Sequence, residues 1–363
     1  MESLKPINGG SMRYTRLIGT GGIGRGILFQ LQGDATLGRS ESRLGVLTDA
    51  KDYCKLHIIF HYLAVMLGDG AEVLPIGGVG ADEAGQTLLA EIAQTGMDCR
   101  HIAVHPEAAT LFSVCYQYPD KEGGNITTAN SASGAVTAAY VRDCVAELEK
   151  TAPPRGKQMV MAVPEVPLEA RMALLAYGRA SGSYNVASLL AEEVDDFLAV
   201  GGIELTDLLA VNRDEAAAIA EMPADETAME VLVEACRVRL AALNPDLSLL
   251  VTDGGNGSYA CERVGQKADG VVYTPAIKAE VVATAGAGDA FLAGAMTGLC
   301  LGLPLCRDEQ ADGQSGEGKR AIRSVVELGT AMASIAVTSA DTIHFGLDAK
   351  RLKEDARWDI NWC

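Results

Sequence analysis

The sequence predicts an α/β fold, a doubly wound and mostly parallel sheet flanked by helices. Three observations carry this. From Ala135 onward, helical segments alternate with short apolar strands, as βα units do. Forty glycines among 363 residues exceed the usual ~7% share, which suits many tight turns beside strands. A glycine-rich turn, Gly286-Ala287-Gly288, opens an apolar segment without proline until Pro304, which reads as a buried helix.

Composition narrows the function classes. The chain is 48% hydrophobic and 21% charged, enough for a sizeable core and unlike a disordered chain. Its length allows one large α/β domain or two modest ones. A formal net charge of −18 repels nucleic acid and anionic membranes. An anionic ligand must therefore be held by local N–H groups and a metal ion. Nine cysteines are scattered without a C-x-x-C pair, which speaks for reduced thiols over a disulfide framework or zinc site. No signal-peptide pattern and no uncharged apolar stretch of ~18 residues is evident. The expectation is a soluble, cytoplasmic protein.

Taken in order, residues 1–12 are polar and read as a loose leader. Leu17-Ile18 enters Gly19-Thr20-Gly21-Gly22-Ile23-Gly24, a literal G-x-G-x-x-G with Asp34 and Glu41 downstream. Alone, that suggests a dinucleotide-binding turn and an NAD(P)-binding oxidoreductase. Against it, the run continues Arg25-Gly26, which is poor for the first turn of a packed helix. Residues 34–52 are polar and irregular, and Arg39, Glu41 and Arg43 are the substrate candidates within a stretch that otherwise reads as a solvated loop. Tyr53 to Leu67 is helical in pattern. His57 and His61 lie four apart there, as a metal pair would, but no third ligand is apparent and core or interface histidines are the preferred reading.

Glu72 to Ile76 reads as a strand, followed by Gly77-Gly78-Val79-Gly80-Ala81-Asp82 and a helix over 86–95. These glycines let the strand end turn tightly and bring Gly78 and Asp82 near the crevice at the sheet's carboxyl edge. Thr110 to Tyr118 alternates and is rich in β-formers; a turn over 119–124 returns it as a second strand near Asn125 to Thr128. Helices over 138–150 and 168–180 alternate with strands over 159–163, 184–187 and 208–211. Asn212 then opens a helix, with Glu215 three residues on, the pattern of a capping box. Leu249 to Thr252 is a strand, and Asp253 to Gly257 a tight turn. Residues 307–319 read as a polar surface insertion, and Ser324 to Val337 as a helix.

The stretch around Gly286 carries the chemistry. A glycine-rich turn at a helix start points unpaired N–H groups one way, with the positive end of the helix dipole behind them. That is an anion site. Asp289 stands at its mouth, where a carboxylate would repel a static phosphate. Its presence makes sense if it takes a proton from a hydroxyl while the N–H groups stabilise a phosphoryl group in flight. The competing reading is an ordinary tight turn capped by Asp289.

Gly286-Ala287-Gly288-Asp289-Ala290-Phe291 resembles the C-terminal signature of the ribokinase-like (pfkB-type) carbohydrate kinases. The run Gly77 to Gly85 resembles their N-terminal pattern, Asn212-Arg213-Asp214-Glu215 their N-x-x-E motif, and Thr252, Gly254 and Gly257 their phosphate-proximal turn. The resemblance spans most of residues 15–345. It implies one ribokinase-like domain over residues 13–350, a small β lid from about 25–50 and 108–130, and a tail at 351–363. It implies Asp289 as catalytic base, with Gly286, Ala287 and Gly288 as anion hole and Thr284 beside the nucleotide. Asn212 and Glu215 would hold Mg²⁺ through water against ATP. The family aspartate associated with a monovalent cation is Ala283 here, so that cation lacks its ligand. The family's sugar-contacting Gly-Gly turn and asparagine are absent around residues 53–59.

The reading is an ATP-dependent kinase acting on a hydroxyl of a small sugar-like or nucleoside-like molecule, paired with a second copy through the lid. Arg39 and Arg43 favour an acceptor with an acidic group, because arginine pairs bidentately with carboxylate or phosphate. Plain ribose and fructose would then be poor substrates. The alternatives are the oxidoreductase built on Gly19 to Gly24 and a kinase-fold protein that binds its ligand without turnover.

Overall fold

The computed structural model describes residues 2–120, 123–151, 153, 155–266, 270–307 and 319–360. The polar insertion expected at 307–319 lies almost wholly outside them. In chain order the strands are β1 (Arg16–Thr20), β2 (Gly24–Leu31), β3 (Gly45–Leu47), β4 (Asp52–Tyr53), β5 (Glu72–Gly80), β6 (Ile102–His105), β7 (Leu111–Gln117), β8 (Gly123–Thr127), β9 (Gln158–Ala162), β10 (Tyr184–Ser188), β11 (Leu208–Asn212), β12 (Ser248–Thr252), β13 (Gly257–Cys261), β14 (Val271–Pro275), β15 (Arg320–Ala321) and β16 (Trp358–Asp359). The helices are α1 (Lys55–Leu67), α2 (Glu83–Gln94), α3 (Ala138–Leu148), α4 (Leu168–Ser181), α5 (Val194–Ala199), α6 (Arg213–Ala220), α7 (Met229–Ala241), α8 (Ala287–Leu301), α9 (Val325–Ala336) and α10 (Ala349–Glu354).

Nine strands form the main sheet in the order β14-β13-β12-β11-β10-β9-β1-β5-β6. Neighbours from β12 through β6 are parallel, and β13 runs antiparallel to both β12 and β14. Every residue of β1 and β9 is buried, because helices cover both faces of a parallel sheet. Alternate residues therefore feed different cores. Leu17 of β1 packs with α1, α8 and α9, while Ile18 packs with α3 and α4, as the two-residue period of a strand demands.

A separate five-stranded sheet, β3-β2-β7-β8 with β4 on β2, stands off the main one. Its strands leave the carboxyl edge: β2 follows β1 within four residues, and β7 follows β6 within six. Leu44, Val46, Leu47, Phe112 and Ile126 are exposed on it.

Three expectations are corrected. The G-x-G-x-x-G run connects strand β1 to strand β2. No helix N-terminus comes after it to receive a pyrophosphate, as a dinucleotide turn needs. The leader is anchored, since Leu4 is buried and its N–H donates to the Met66 carbonyl. The tail is packed as well: Leu352 and Trp358 are buried, and β16 pairs with β15.

Helices α8 and α9 approach at backbone distance. A Cβ on Gly294 would stand 2.8 Å from the Gly329 Cα and 2.9 Å from the Leu328 carbonyl oxygen. This contact fixes α8, and with it the turn that opens α8, against the sheet. In an exposed helix, glycine to alanine gains about 1 kcal/mol. Here overpacking, which costs about 1–3 kcal/mol, should win. Gly294→Ala is expected to lower stability in urea unfolding; an equal or higher midpoint would refute the close packing as its cause.

Candidate active site

The last residues of three adjacent parallel strands, Ser188, Asn212 and Thr252, meet at the carboxyl edge of the sheet. Open α/β sheets bind ligands there. Opposite them stands the start of α8. Between lies a cavity of about 70 Å³ lined by Lys55, Ser188, Asn212, Glu215, Thr252 and Asp289, among others.

The turn before α8 needs glycine at one position. Gly286 has φ 79°, and a Cβ on it would collide with the Thr342 carbonyl oxygen. Ala287 N–H donates to the Thr284 carbonyl at 3.1 Å, closing the turn, and Ala290 N–H donates to the Gly286 carbonyl at 2.9 Å. That leaves the N–H groups of Gly288 and Asp289 without an acceptor among the described residues. Beside Gly288 the space is open within 4 Å. Of the three N–H groups expected as an anion hole, that of Ala287 is spent on the turn itself, on the Thr284 carbonyl.

Asp289 is largely buried, and burial raises its pKa to about 6; Lys55 opposes the shift and Asp52 adds to it. Lys55 Nζ lies 3.9 Å from Asp289 Oδ1 and donates to Ser188 Oγ at 3.3 Å. Burial works against the Lys55 charge, but the carboxylates of Asp289, Glu215, Glu165 and Glu193 outweigh it and hold its pKa above the usual lysine value. Glu165, beyond β9, accepts from the Lys55 backbone N–H at 3.2 Å. Burial pushes its carboxyl up to about 7. Its backbone is left-handed, φ 74°, a costly conformation for a non-glycine residue and one that clusters at functional sites.

Asn212 and Glu215 form a reciprocal cap. Asn212 Oδ1 accepts from the Glu215 N–H at 2.9 Å, and Glu215 Oε2 accepts from the Asn212 N–H at 2.8 Å. Glu215 also accepts from Asn212 Nδ2 at 3.1 Å. Capping and lining the cavity are compatible, since a carboxylate offers about four lone-pair sites. Burial raises the Glu215 pKa, with Lys55 and the Asn212 N–H opposing and Asp289 adding to the shift. Arg213, next in the chain, bridges bidentately to Asp253 at 2.8 and 3.2 Å. It thereby ties the start of α6 to the turn carrying Gly254 and Gly257. Gly254 and Gly257 both have positive φ, and no atom lies within 4 Å of where a Gly254 side chain would begin.

The acceptor-side expectations fare differently. Asp82 caps α2 through the Gly85 N–H at 2.8 Å and accepts from Thr110 N–H and Oγ1 at 2.9 and 2.6 Å. Its carboxylate is spent on fixing the root of β7. Gly78 lies against the Ala132 carbonyl, where a Cβ would stand at 2.5 Å. Arg39 and Glu41 are exposed, and Arg43 is paired with Glu41 and the Ala35 carbonyl. None of these residues borders the cavity. His57 and His61 are buried against Tyr53, Tyr62 and Phe345, and burial lowers their pKa values to about 3 and about 4. Lys55 and Glu165 were not expected: Lys55 lies where the family's Gly-Gly turn and asparagine are absent, Glu165 lies in no motif, and only the fold brings them to Asp289.

No helix among the described residues is long and apolar enough to cross a membrane. No curated protein matches the chain in sequence. Its fold matches ribokinase from Giardia lamblia (TM-score 0.73, 18% identity, 94% of this chain and 99% of that one). It also matches ribokinase from Cryptococcus neoformans var. grubii serotype A in complex with ADP (TM-score 0.70, 18%, 94% and 99%). Burkholderia thailandensis nucleoside kinase in complex with inosine matches at TM-score 0.66, with 16% identity over 93% of this chain and 95% of that one. The sequence profile of the pfkB family carbohydrate kinases matches residues 61–350. With that match over most of its length, this cavity-bearing sheet and its glycine turn, the chain belongs to the pfkB family of carbohydrate kinases, phosphotransferases with an alcohol group as acceptor.

Proposed function

We propose that the protein transfers the γ-phosphoryl group of ATP to a hydroxyl of a small sugar-like or nucleoside-like molecule, with Asp289 as the base. One observation supports this above the others: a carboxylate of raised pKa stands at the mouth of two open N–H groups, in one cavity with Glu215 and Lys55. Asp289 takes the proton of the acceptor hydroxyl. The oxygen bonds to the γ-phosphorus as the bond to the β–γ bridging oxygen breaks, and ADP leaves with that electron pair. The Gly288 and Asp289 N–H groups and Lys55 stabilise charge on the transferring group.

Magnesium favours hard oxygens and keeps several waters, and Glu215 with Asn212 fits that preference. Each already spends lone pairs on the other, so contact through water suits them. Bound there, the ion would neutralise charge on the phosphates. ATP would lie toward the turn at Gly254, and the compartment would be the cytoplasm. The non-catalytic reading is disfavoured because Asp289 and Glu215 are both present and line one cavity.

Asp289→Asn should bind ATP normally and lose about 10² to 10⁴ in kcat; more than half of wild-type turnover would refute the base. In parallel, Glu215→Gln should raise the Mg²⁺ concentration for half-maximal rate. A helix cap alone would shift only stability, by about 1 kcal/mol, with unchanged metal dependence.

The base must be ionised, so kcat/KM should fall as pH drops through about 6. For stability the same raised pKa acts oppositely: its contribution is present below the unfolded-state value and lost as pH rises through about 6, because the folded state holds the proton more tightly. The unfolding free energy of wild type minus that of Asp289→Asn should therefore decline over this window. A flat kcat/KM from pH 5 to 8 would contradict the assignment.

A further inference from the structure

Across the lid, three residues share one register line. Asp52 of β4 pairs with Gly26 of β2, and Gly26 pairs with Ser113 of β7. Gly26 has no side chain to block the line; a Cβ there would collide with both Ser113 Oγ and Asp52 Oδ2. The Asp52 carboxylate crosses this gap and receives the Ser113 hydroxyl and the Cys115 thiol, the latter at 3.2 Å, both on Oδ2. Its other oxygen, Oδ1, has no partner among the described residues, although Asp52 is only 8% exposed. Oδ1 is not among the buried side-chain atoms that lack a partner, so it stands open at the edge of an otherwise enclosed residue, where a ligand's donor can reach it. The charge of Asp52 bears on Asp289 and on Cys54, the residue just before Lys55. Asp52 thus stands on the lid sheet three residues before Lys55, whose Nζ lies 3.9 Å from Asp289 Oδ1, and it does not itself line the cavity at the strand ends.

We propose that Asp52 Oδ1 receives a hydroxyl of the phosphoryl acceptor, making Asp52 a specificity residue for a neutral molecule with adjacent hydroxyl groups. This rests on the kinase reading above and goes beyond it. Among the described residues, the carboxylates that act on the reacting centre are Asp52, Asp289, Glu165, Glu215 and Glu193, and the cation set against them is Lys55. Lys55 faces the phosphate-side cavity. An acceptor carrying its own negative group would meet like charges; a hydroxyl can donate to each. Arg43, the cation that would welcome an acidic acceptor, is already paired with Glu41. This reverses the charge preference expected from Arg39 and Arg43. Asp52 also couples recognition to the lid, because Ser113 and Cys115 hold Oδ2 from β7 while Asp52 leads through Cys54 into α1.

The test uses the full-length protein, with ADP release measured on D-ribose, inosine and myo-inositol as neutral probes and on D-gluconate and D-ribose 5-phosphate as anionic ones. Wild type is expected to phosphorylate at least one neutral probe with a higher kcat/KM than either anion. Asp52→Asn preserves shape but can turn the open acceptor into a donor. It should raise the KM of that neutral probe at least tenfold, lower kcat less than threefold, and leave the KM for ATP within twofold. Ser113→Ala keeps the carboxylate but frees Oδ2, and should raise the same KM by an intermediate factor; it serves as the measurement if Asp52→Asn fails to fold. Acceptor KM unchanged within twofold in the folded variant would overturn the proposal, leaving the kinase intact. Preference for an anionic probe, or no transfer to any neutral probe by a protein that binds ATP, would overturn it too. Loss of ATP binding in wild type would instead overturn the kinase reading on which it rests.

Discussion

The site depends on one placement: the N-terminus of α8 held end-on to the carboxyl edge of a parallel sheet. The backbone contact of α8 with α9 at Gly294 and Gly329 sets the helix, and Gly286, in the left-handed region against Thr342, aims its first turn. A helix start always leaves N–H groups over. Here the turn consumes one of them, at Ala287, and leaves those of Gly288 and Asp289 without an acceptor among the described residues, in the cavity that the ends of β10, β11 and β12 also line. Segment 341–342 is held from the other side as well: Lys51 N–H donates to Asp341 at 2.7 Å, Thr342 N–H to the Lys51 carbonyl, and Tyr53 N–H to Thr342 Oγ1 at 2.9 Å. The same backbone thus braces the glycine turn and the strand that carries Asp52.

Three carboxylates and one lysine set the electrostatics of this corner. Asp289, Glu165 and Glu215 all have raised pKa values, chiefly through burial, and one lysine offsets them. Such perturbed groups concentrate where a proton must be moved. A carboxylate whose pKa is raised to about 6 is ionised at neutral pH, which suits the role of base proposed for Asp289. The structural features around it serve position: the Asn212–Glu215 cap, the Arg213–Asp253 bridge and the left-handed Glu165 each fix a group that would otherwise have several rotamers.

Much of this was legible in the sequence, and the reasons for the remainder are physical. Helix and strand periodicity reads well where one face is buried, so the alternation after Ala135 and the helix after Gly288 stand where the residues point. The Gly286–Asp289 and Asn212–Glu215 patterns are local, four residues each, and their geometry comes from helix-start chemistry. Lys55, Glu165 and Asp52 were hidden because each acts through partners more than 50 residues away in the chain or through a two-residue strand, β4, too short for any periodicity. Asp82 shows the converse. Its spacing from the glycines was readable, but not that Gly85 and Thr110 would take three of its about four lone-pair sites. Gly19 to Gly24 matched a phosphate-binding pattern, yet it runs into strand β2, and the glycines there make room for Phe60, Val163 and Glu165. A motif specifies residues; only the element it opens decides whether its N–H groups face a ligand.

The central claim is that phosphoryl transfer takes place at the start of α8. A crystal structure of the protein grown with ADP, Mg²⁺ and aluminium fluoride tests it most directly, because the planar fluoride occupies the position of the phosphoryl group in flight. The fluoride is expected within hydrogen-bond distance of the Gly288 and Asp289 N–H groups. Well-defined density for ADP and fluoride at the Gly19 to Gly24 turn, or anywhere away from α8, would contradict it.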